Sequence, residues 1–357
     1  MVYCQKQSQK NLRNLLILCR TINKMNMKDN HPDIKYGKTG VLIVNLGTPD
    51  STSWWDVRKY LKEFLSDRRV IEVNPLLWKL ILNIFILTFR PSKSAHAYKQ
   101  IWMKEKNESP LLFYTRSQKE KLANKINEKD IIVDFAMRYG NPSIKSKLDF
   151  MKEQGCENII VLPLYPQYAA ATTATVCDEV YRVLMKMRWQ PGLQIIPHYE
   201  SNPLYIDALV KSIKQKISGI EWKPELILIS YHGIPKSYFD KGDPYQCYCQ
   251  KTSRLIKEKF NDIPVETTFQ SRFGPSEWLK PYTDKTLEAL PGNGKKNILV
   301  LCPGFSSDCV ETLEEINIQG RESFMSHGGK NFELIPCLND NEDHIDLLEK
   351  LIRKYLI

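Results

Sequence analysis

Eight short apolar runs punctuate the chain: "GVLIVNL" (40–46), "DIIVDFAM" (130–137), "NIIVLPLY" (158–165), "LQIIPH" (193–198), "ELILISY" (225–231), "PVETTFQ" (264–270), "NILVLC" (297–302) and "FELIPC" (332–337). Most are near-continuous Val, Ile and Leu without polar alternation, the pattern of strands buried on both faces. Longer stretches of helical spacing separate them, so the runs predict parallel strands joined by helical crossovers. The pattern is also written twice. "VLIVNLGTP" answers "ILISYHGIP", "MRYGNPS" answers "SRFGPS", "NIIVLPLYPQY" answers "NILVLCPGFSSD", and "QIIPHYESNP" answers "ELIPCLNDNE". Such self-similarity marks an internal duplication. The predicted fold class is α/β, with two similar Rossmann-like domains, each a parallel sheet flanked by helices.

The expected organisation is a disordered tail over 1–36, a first domain over 37–200 and a second over 201–357. "SNPLYIDALVKSIKQKI", with Ser201 or Asn202 as cap, predicts an amphipathic helix between the halves. The first half is the longer, and its surplus falls within about residues 50–128. That insertion holds the most apolar stretch, "NPLLWKLILNIFILTFRP" (74–91), in which Lys79 and Asn83 interrupt the run from Leu76 to Phe89. A membrane-spanning helix needs about 20 apolar residues, so this one is too short to cross a bilayer. Two readings stay open: a buried core helix, or the apolar lip of a cleft that rests against lipid headgroups.

The 357 residues carry 51 Lys and Arg against 41 Asp and Glu, a formal charge of +10 that favours anionic partners. No aromatic RNP motif, basic helix or Cys/His finger spacing points to nucleic acid. The nine cysteines are scattered, which predicts a reducing compartment rather than a disulfide framework. Residues 1–30 are basic, and "LLILC" is too short for a secretory core. They read as a tail, as sequence upstream of a start at Met25 or Met27, or as an organellar presequence.

In open parallel sheets ligands bind beyond the carboxyl ends of strands. His232 follows "LILIS" directly, beside Gly233 and Pro235, where an imidazole can accept a proton or bind a metal. After "NILVLC", Ser306 or Ser307 can cap a helix carrying Asp308, Glu311, Glu314 and Glu315. Glu311 and Glu315 then share one face. An acidic first turn matched to the helix dipole is the plainer meaning of such a cluster. Arg138 and Tyr139 follow the second strand, and Tyr165, Gln167 and Tyr168 the third. Together they suit a flat, partly anionic ligand. Cys247 and Cys249 are half a thiolate site without a second pair, and neither half has a Gly-rich phosphate loop.

"VNLGTPDSTSWWDVRKYLKEFLSDRRVI", "VLPLYPQYAAATT", "ISYHGIPKSYFDKGDPY" and "LCPGFSSDCVETLEEI" resemble ferrochelatases, chiefly of the bacterial branch, from about Gly40 to the C-terminus. The resemblance implies an enzyme that inserts ferrous iron into protoporphyrin IX in a cleft between the two domains. It implies His232 and Glu311 at the metal end, as iron ligand or pyrrole-proton acceptor, with Asp308 and Glu315 continuing an acidic path. Arg138 and Tyr139 would stand on the opposite wall with Tyr165, Arg116 would meet the propionates, and the apolar insertion would form the lip. Fe2+ and porphyrin are then substrates. No prosthetic group is expected, including a [2Fe-2S] cluster, because the chain ends "LIRKYLI" without the cysteines that hold one. A cytoplasmic enzyme in peripheral contact with the inner membrane follows. Other readings are a chelatase for another metal or tetrapyrrole, a non-catalytic porphyrin or heme carrier, and a basic membrane or nucleic-acid adaptor.

Overall fold

The strands are laid down in two sheets with one topology. In the computed structural model, which describes residues 34–356, β1 (Lys38–Thr48), β2 (Ile131–Gly140), β3 (Cys156–Pro163) and β4 (Gly192–Ile195) run in the order β2-β1-β3-β4. β5 (Leu226–His232), β6 (Val265–Gln270), β7 (Asn297–Leu301) and β8 (Asn331–Ile335) repeat that order as β6-β5-β7-β8. Every ladder is parallel. The tail expected over 1–36 lies, up to residue 33, outside the described residues.

The central strands are fully enclosed: Val41–Val44 and Leu226–Ile229 expose no surface. Their side chains alternate between two cores. Leu42 and Val44 face an outer layer with Val176 and Val180, whereas Val41 and Ile43 join Ile227, Ile229, Leu299 and Leu301 in a core common to both sheets. The helices Pro110–Ile126, Pro203–Ser218 and Glu342–Arg353 close that common core with Leu122, Ile213, Leu348 and Ile352. Gly37 onward is accordingly one compact unit. Asn202 caps its helix, accepting from the Leu204 amide at 3.0 Å.

Between β1 and β2 the insertion forms the helices Trp54–Leu65, Pro75–Ile81 and Leu87–Ile101, the last two joined by a π-helical turn, Leu82–Ile86. Its apolar stretch is two-faced. Leu82 and Leu87 pack on Val57, Tyr60, Leu61 and Tyr139, while Leu76, Leu80 and Phe89 stay 79%, 60% and 72% exposed. Among the described residues, no helix is long and apolar enough to cross a membrane.

The expected cap at Ser306 or Ser307 is not formed. Helix begins only after Cys309 and is π-helical over Glu311–Gly320, with no side-chain cap. Ser307 Oγ instead accepts from Gln118 Nε2 at 2.9 Å, and Ser306 Oγ from Asn45 Nδ2 at 3.5 Å. Cross-half hydrogen bonds have taken the groups that would have capped.

His344 closes the last helix onto this region. Its buried ring donates from Nδ1 to the Asn339 carbonyl at 2.6 Å, and burial pushes its pKa from an ordinary 6.5 down to about 4. The unfolded chain therefore takes up a proton that the native state refuses, so stability is full above about pH 6.5 and falls as the pH drops towards 4. The loss amounts to about 3 kcal/mol at most. Denaturant titrations across that range should show the slope, and His344→Gln should flatten it by roughly one proton.

Candidate functional site

Parallel pairing brings β5 and β6 to an end together, with His232 opposite Gln270. The half-buried His232 ring donates from Nδ1 to the Gly233 carbonyl at 2.6 Å. That bond puts the proton on Nδ1 and leaves the Nε2 lone pair for a ligand or a proton. Trp278 lies beside the ring, 6.4 Å between centroids. Gly233 makes the tight approach possible: a Cβ there would stand 2.9 Å from the Gln270 carbonyl oxygen and 3.1 Å from Trp278. In the first half Gly47 has the same place beside Tyr139, where a Cβ would sit 1.8 Å from the carbonyl oxygen.

Gln270 ties this strand edge to the π-helix. Its Oε1 accepts from Ser230 Oγ at 2.7 Å, and its Nε2 donates to the Glu311 carbonyl at 2.8 Å and towards Glu315 Oε2 at 3.4 Å. Ser271, in the left-handed region at φ 64°, turns both its amide (2.7 Å) and its hydroxyl (2.5 Å) onto the Glu315 carboxylate. A non-glycine residue held there is strained, a condition that clusters at functional sites. Burial nevertheless raises the Glu315 carboxyl above its ordinary range, with the neighbouring Glu311 charge adding to the rise and the Ser271 bonds and His232 opposing it. His232 and Glu311 thus both act on Glu315 at one edge. The i→i+5 bonding keeps the two glutamates on the same side of the helix, as the ordinary helical spacing had led one to expect.

Tyr60, Tyr98 and Tyr165 stand around Glu311. Burial drives all three phenols well above their usual range, and the Glu311 carboxylate adds to each. Tyr165 also feels the Arg138 guanidinium, and its hydroxyl is buried without a hydrogen-bond partner.

The remaining sequence candidates lie further back. Tyr139 is fully buried, its hydroxyl donating to Asp67 at 2.9 Å. It therefore backs the wall and presents no surface to a ligand. Arg138 donates to the same Asp67 oxygen at 2.5 Å and to the Thr175 carbonyl at 2.8 Å. Arg116 pairs with buried Glu108. Asp308 is buried and its carboxylate accepts from Thr312, Asn339 and the Cys337 amide. Gln270, Ser271, Tyr60 and Tyr98 were missed. For Gln270 and Ser271 the signal was present, since Gln270 ends the run 264–270 and Ser271 follows it directly. Among the described residues, no three His, Cys, Asp or Glu side chains form a ready metal-binding group. A cavity of about 720 Å³ is lined by residues that include Tyr114, Lys216, Asn339 and Asp340, with His232, Glu311 and Glu315 outside it.

The ferrochelatase family model matches residues 38–356. The chain belongs to the ferrochelatase family. It is 53% identical over 330 residues to the ferrochelatase of Agrobacterium fabrum, covering 92% of this chain and 96% of the relative. Against the ferrochelatase of Rhizobium meliloti the identity is 53% over 335 residues, covering 93% and 99%. Membership makes the chain a lyase, a protoheme ferro-lyase of the terminal step of heme biosynthesis. Among solved structures, SirB from Bacillus subtilis with Fe3+ matches with a TM-score of 0.54 at 13% identity, over 89% of this chain and 95% of that one. The likeness is one of fold and agrees with the two flanked parallel sheets.

Gly233→Ala should cost about 1–3 kcal/mol in chemical denaturation, because the Gln270 carbonyl is backbone and must shift to admit a methyl group.

Proposed function

We propose that ferrous iron enters protoporphyrin IX at the edge where His232, Glu311 and Glu315 meet. The single observation that carries this reading is the His232 ring, whose Nδ1 proton is committed to Gly233 and whose Nε2 is left free. Insertion requires the porphyrin to lose two pyrrole protons and the ion to lose its water. A fixed imidazole lone pair lowers the first cost as general base, and a carboxylate that replaces water on the ion lowers the second. We assign His232 and Glu311 to this pair of tasks. Glu315, held above the ordinary carboxylate range by burial, suits taking up a proton released at that edge. Tyr165, with its unpartnered hydroxyl, belongs to the porphyrin wall, and Arg138 keeps that wall in place from behind through Asp67. The Arg116 guanidinium is already matched by Glu108, so the propionates are not assigned to it.

The exposed row Leu76, Leu77, Leu80, Ile84, Phe85 and Phe89 supports a lip that takes an apolar porphyrin from the membrane. On a chain of charge +10 this favours a cytoplasmic enzyme in peripheral contact with an anionic inner-membrane surface.

Anaerobic incubation with ferrous iron and protoporphyrin IX in detergent should convert free porphyrin to heme. His232→Ala and Glu311→Gln should each lower kcat by about 10²–10⁴-fold. Heme formation at the wild-type rate in either variant would remove that residue from the reaction, and porphyrin bound but never metallated by the wild type would point to a carrier. For the lip, sedimentation with vesicles of anionic phospholipid should bind the wild type, and Leu80→Asp/Phe89→Asp should lose most of that binding while remaining folded.

A further inference from the structure

Asn339 lies in the loop between β8 and the last helix, in a stretch with no evident chemistry. It is nevertheless among the most heavily bonded residues of the molecule. It is 8% exposed and holds a left-handed backbone at φ 48°, a conformation that Asn tolerates better than most residues but that still needs support. Its amide side chain makes a reciprocal pair with Asp308. Nδ2 donates to Asp308 Oδ2 at 2.7 Å, and Oδ1 accepts from the Asp308 backbone amide at 2.8 Å. Its own backbone N–H donates to Ser306 at 3.0 Å. Its carbonyl receives Gln118 Nε2 at 2.8 Å and His344 Nδ1 at 2.6 Å. One residue thus joins a helix of the first half, the turn before the π-helix and the last helix of the chain.

The bonds continue towards the site. The other Asp308 oxygen accepts from Thr312 Oγ1 at 3.1 Å and from the Cys337 amide at 3.2 Å. Thr312 Oγ1 in turn accepts from the Cys309 amide at 3.0 Å. Thr312 is the neighbour of Glu311 in the first π-helical turn. That turn has no cap of its own, so its position rests on outside contacts: Gln270 on one side, and Asp308 with Asn339 on the other.

We infer that Asn339 is a positioning residue for iron insertion: by holding the Asp308 carboxylate, it fixes the Thr312 turn that presents Glu311 to the porphyrin. Asp308 then serves as the anchor of that turn rather than as a stage in an acidic path. Its carboxylate is buried and accepts three hydrogen bonds within the protein. The inference rests on the role proposed above for Glu311.

The test exchanges the two side chains. Asn339→Asp tolerates the same backbone and keeps the acceptor for the Asp308 amide, but it sets two carboxylates face to face. It should lower kcat for heme formation roughly ten- to hundredfold, the size of effect that small misplacements of a reacting group produce. The KM and the fluorescence-measured affinity for protoporphyrin should stay within about twofold, since the porphyrin wall is untouched. The double variant Asp308→Asn/Asn339→Asp restores one amide facing one carboxylate and should bring kcat back to within about threefold of wild type.

Wild-type kcat in a folded Asn339→Asp protein would overturn the inference. So would an exchange that restores thermal stability but not kcat, because the carboxylate would then be needed at position 308 itself. Should Asn339→Asp not fold, Asn339→Gly carries the same test, since it keeps the left-handed backbone and removes the amide. Lost kcat with intact porphyrin binding supports the inference, and unchanged kcat overturns it. Glu311→Gln run in parallel separates the two levels. Retained kcat there removes the role of Glu311, whereas lost kcat there with normal turnover in the Asn339 variants removes only the positioning role.

Discussion

Parallel pairing of a buried central strand with its neighbour is the constraint on which the rest depends. Because β5 and β6 run in the same direction and in register, they stop at the same edge, and His232 and Gln270 arrive there side by side. No side chain needs to reach across the sheet. The strand interiors, apolar on both faces, supply the driving force. The polar residues occur where that apolar run gives out, and there the backbone leaves the sheet and its groups become available.

The same constraint acts in the first half, which lacks the side chains proposed above for the reaction. Laying β1 on β5 puts Leu46 at the place of His232, and laying β3 on β7 puts Thr172 at the place of Glu311. Both halves keep the close glycine after the first strand, Gly47 and Gly233. Both also follow the third strand with π-helix, Ala170–Ala174 and Glu311–Gly320. The scaffold is shared and the side chains proposed for iron insertion are not. The first half instead provides Tyr165 and, through its insertion, Tyr60 and Tyr98, which surround Glu311 from the other side.

Strand positions were legible because buried parallel strands leave short apolar runs rich in β-branched residues and bounded by turn residues. The run read at 225–231 became Leu226–His232, and the one at 297–302 became Asn297–Leu301. The strand-end rule led to His232 and to the cluster Asp308, Glu311, Glu314 and Glu315, and it was the family resemblance, not the spacing, that picked Glu311 out of it. Other features left no such trace. A π-helix differs from an α-helix by hydrogen bonds one residue longer, and local sequence does not encode that choice. Ser306 and Ser307 looked like caps because local spacing was all that could be weighed, yet the partners of their hydroxyls, Asn45 and Gln118, lie elsewhere in the chain. Tyr139 and Tyr165 were indistinguishable as aromatic residues at strand ends, and only packing shows that the Tyr139 hydroxyl is spent on Asp67. Asp308 reads as one of an acidic cluster, and only packing shows it buried, with donors from Thr312 and from the loop that holds Cys337 and Asn339.

The last helix, Glu342–Arg353, places Leu347, Leu348, Leu351 and Ile352 in the core that also holds Val41, Ile43 and Leu122. Its polar side reinforces the seam, with Arg353 on Glu128 at 2.9 Å and with Asp340, just before it, accepting from Ser117 at 2.6 Å. During synthesis, the strands that open the sheet leave the ribosome hundreds of residues before the helix that covers them. The first half must wait with an apolar groove uncovered, a state open to chaperones and to aggregation. The native core closes only once Glu342–Arg353, far along the chain from β1, has been translated and can dock on it.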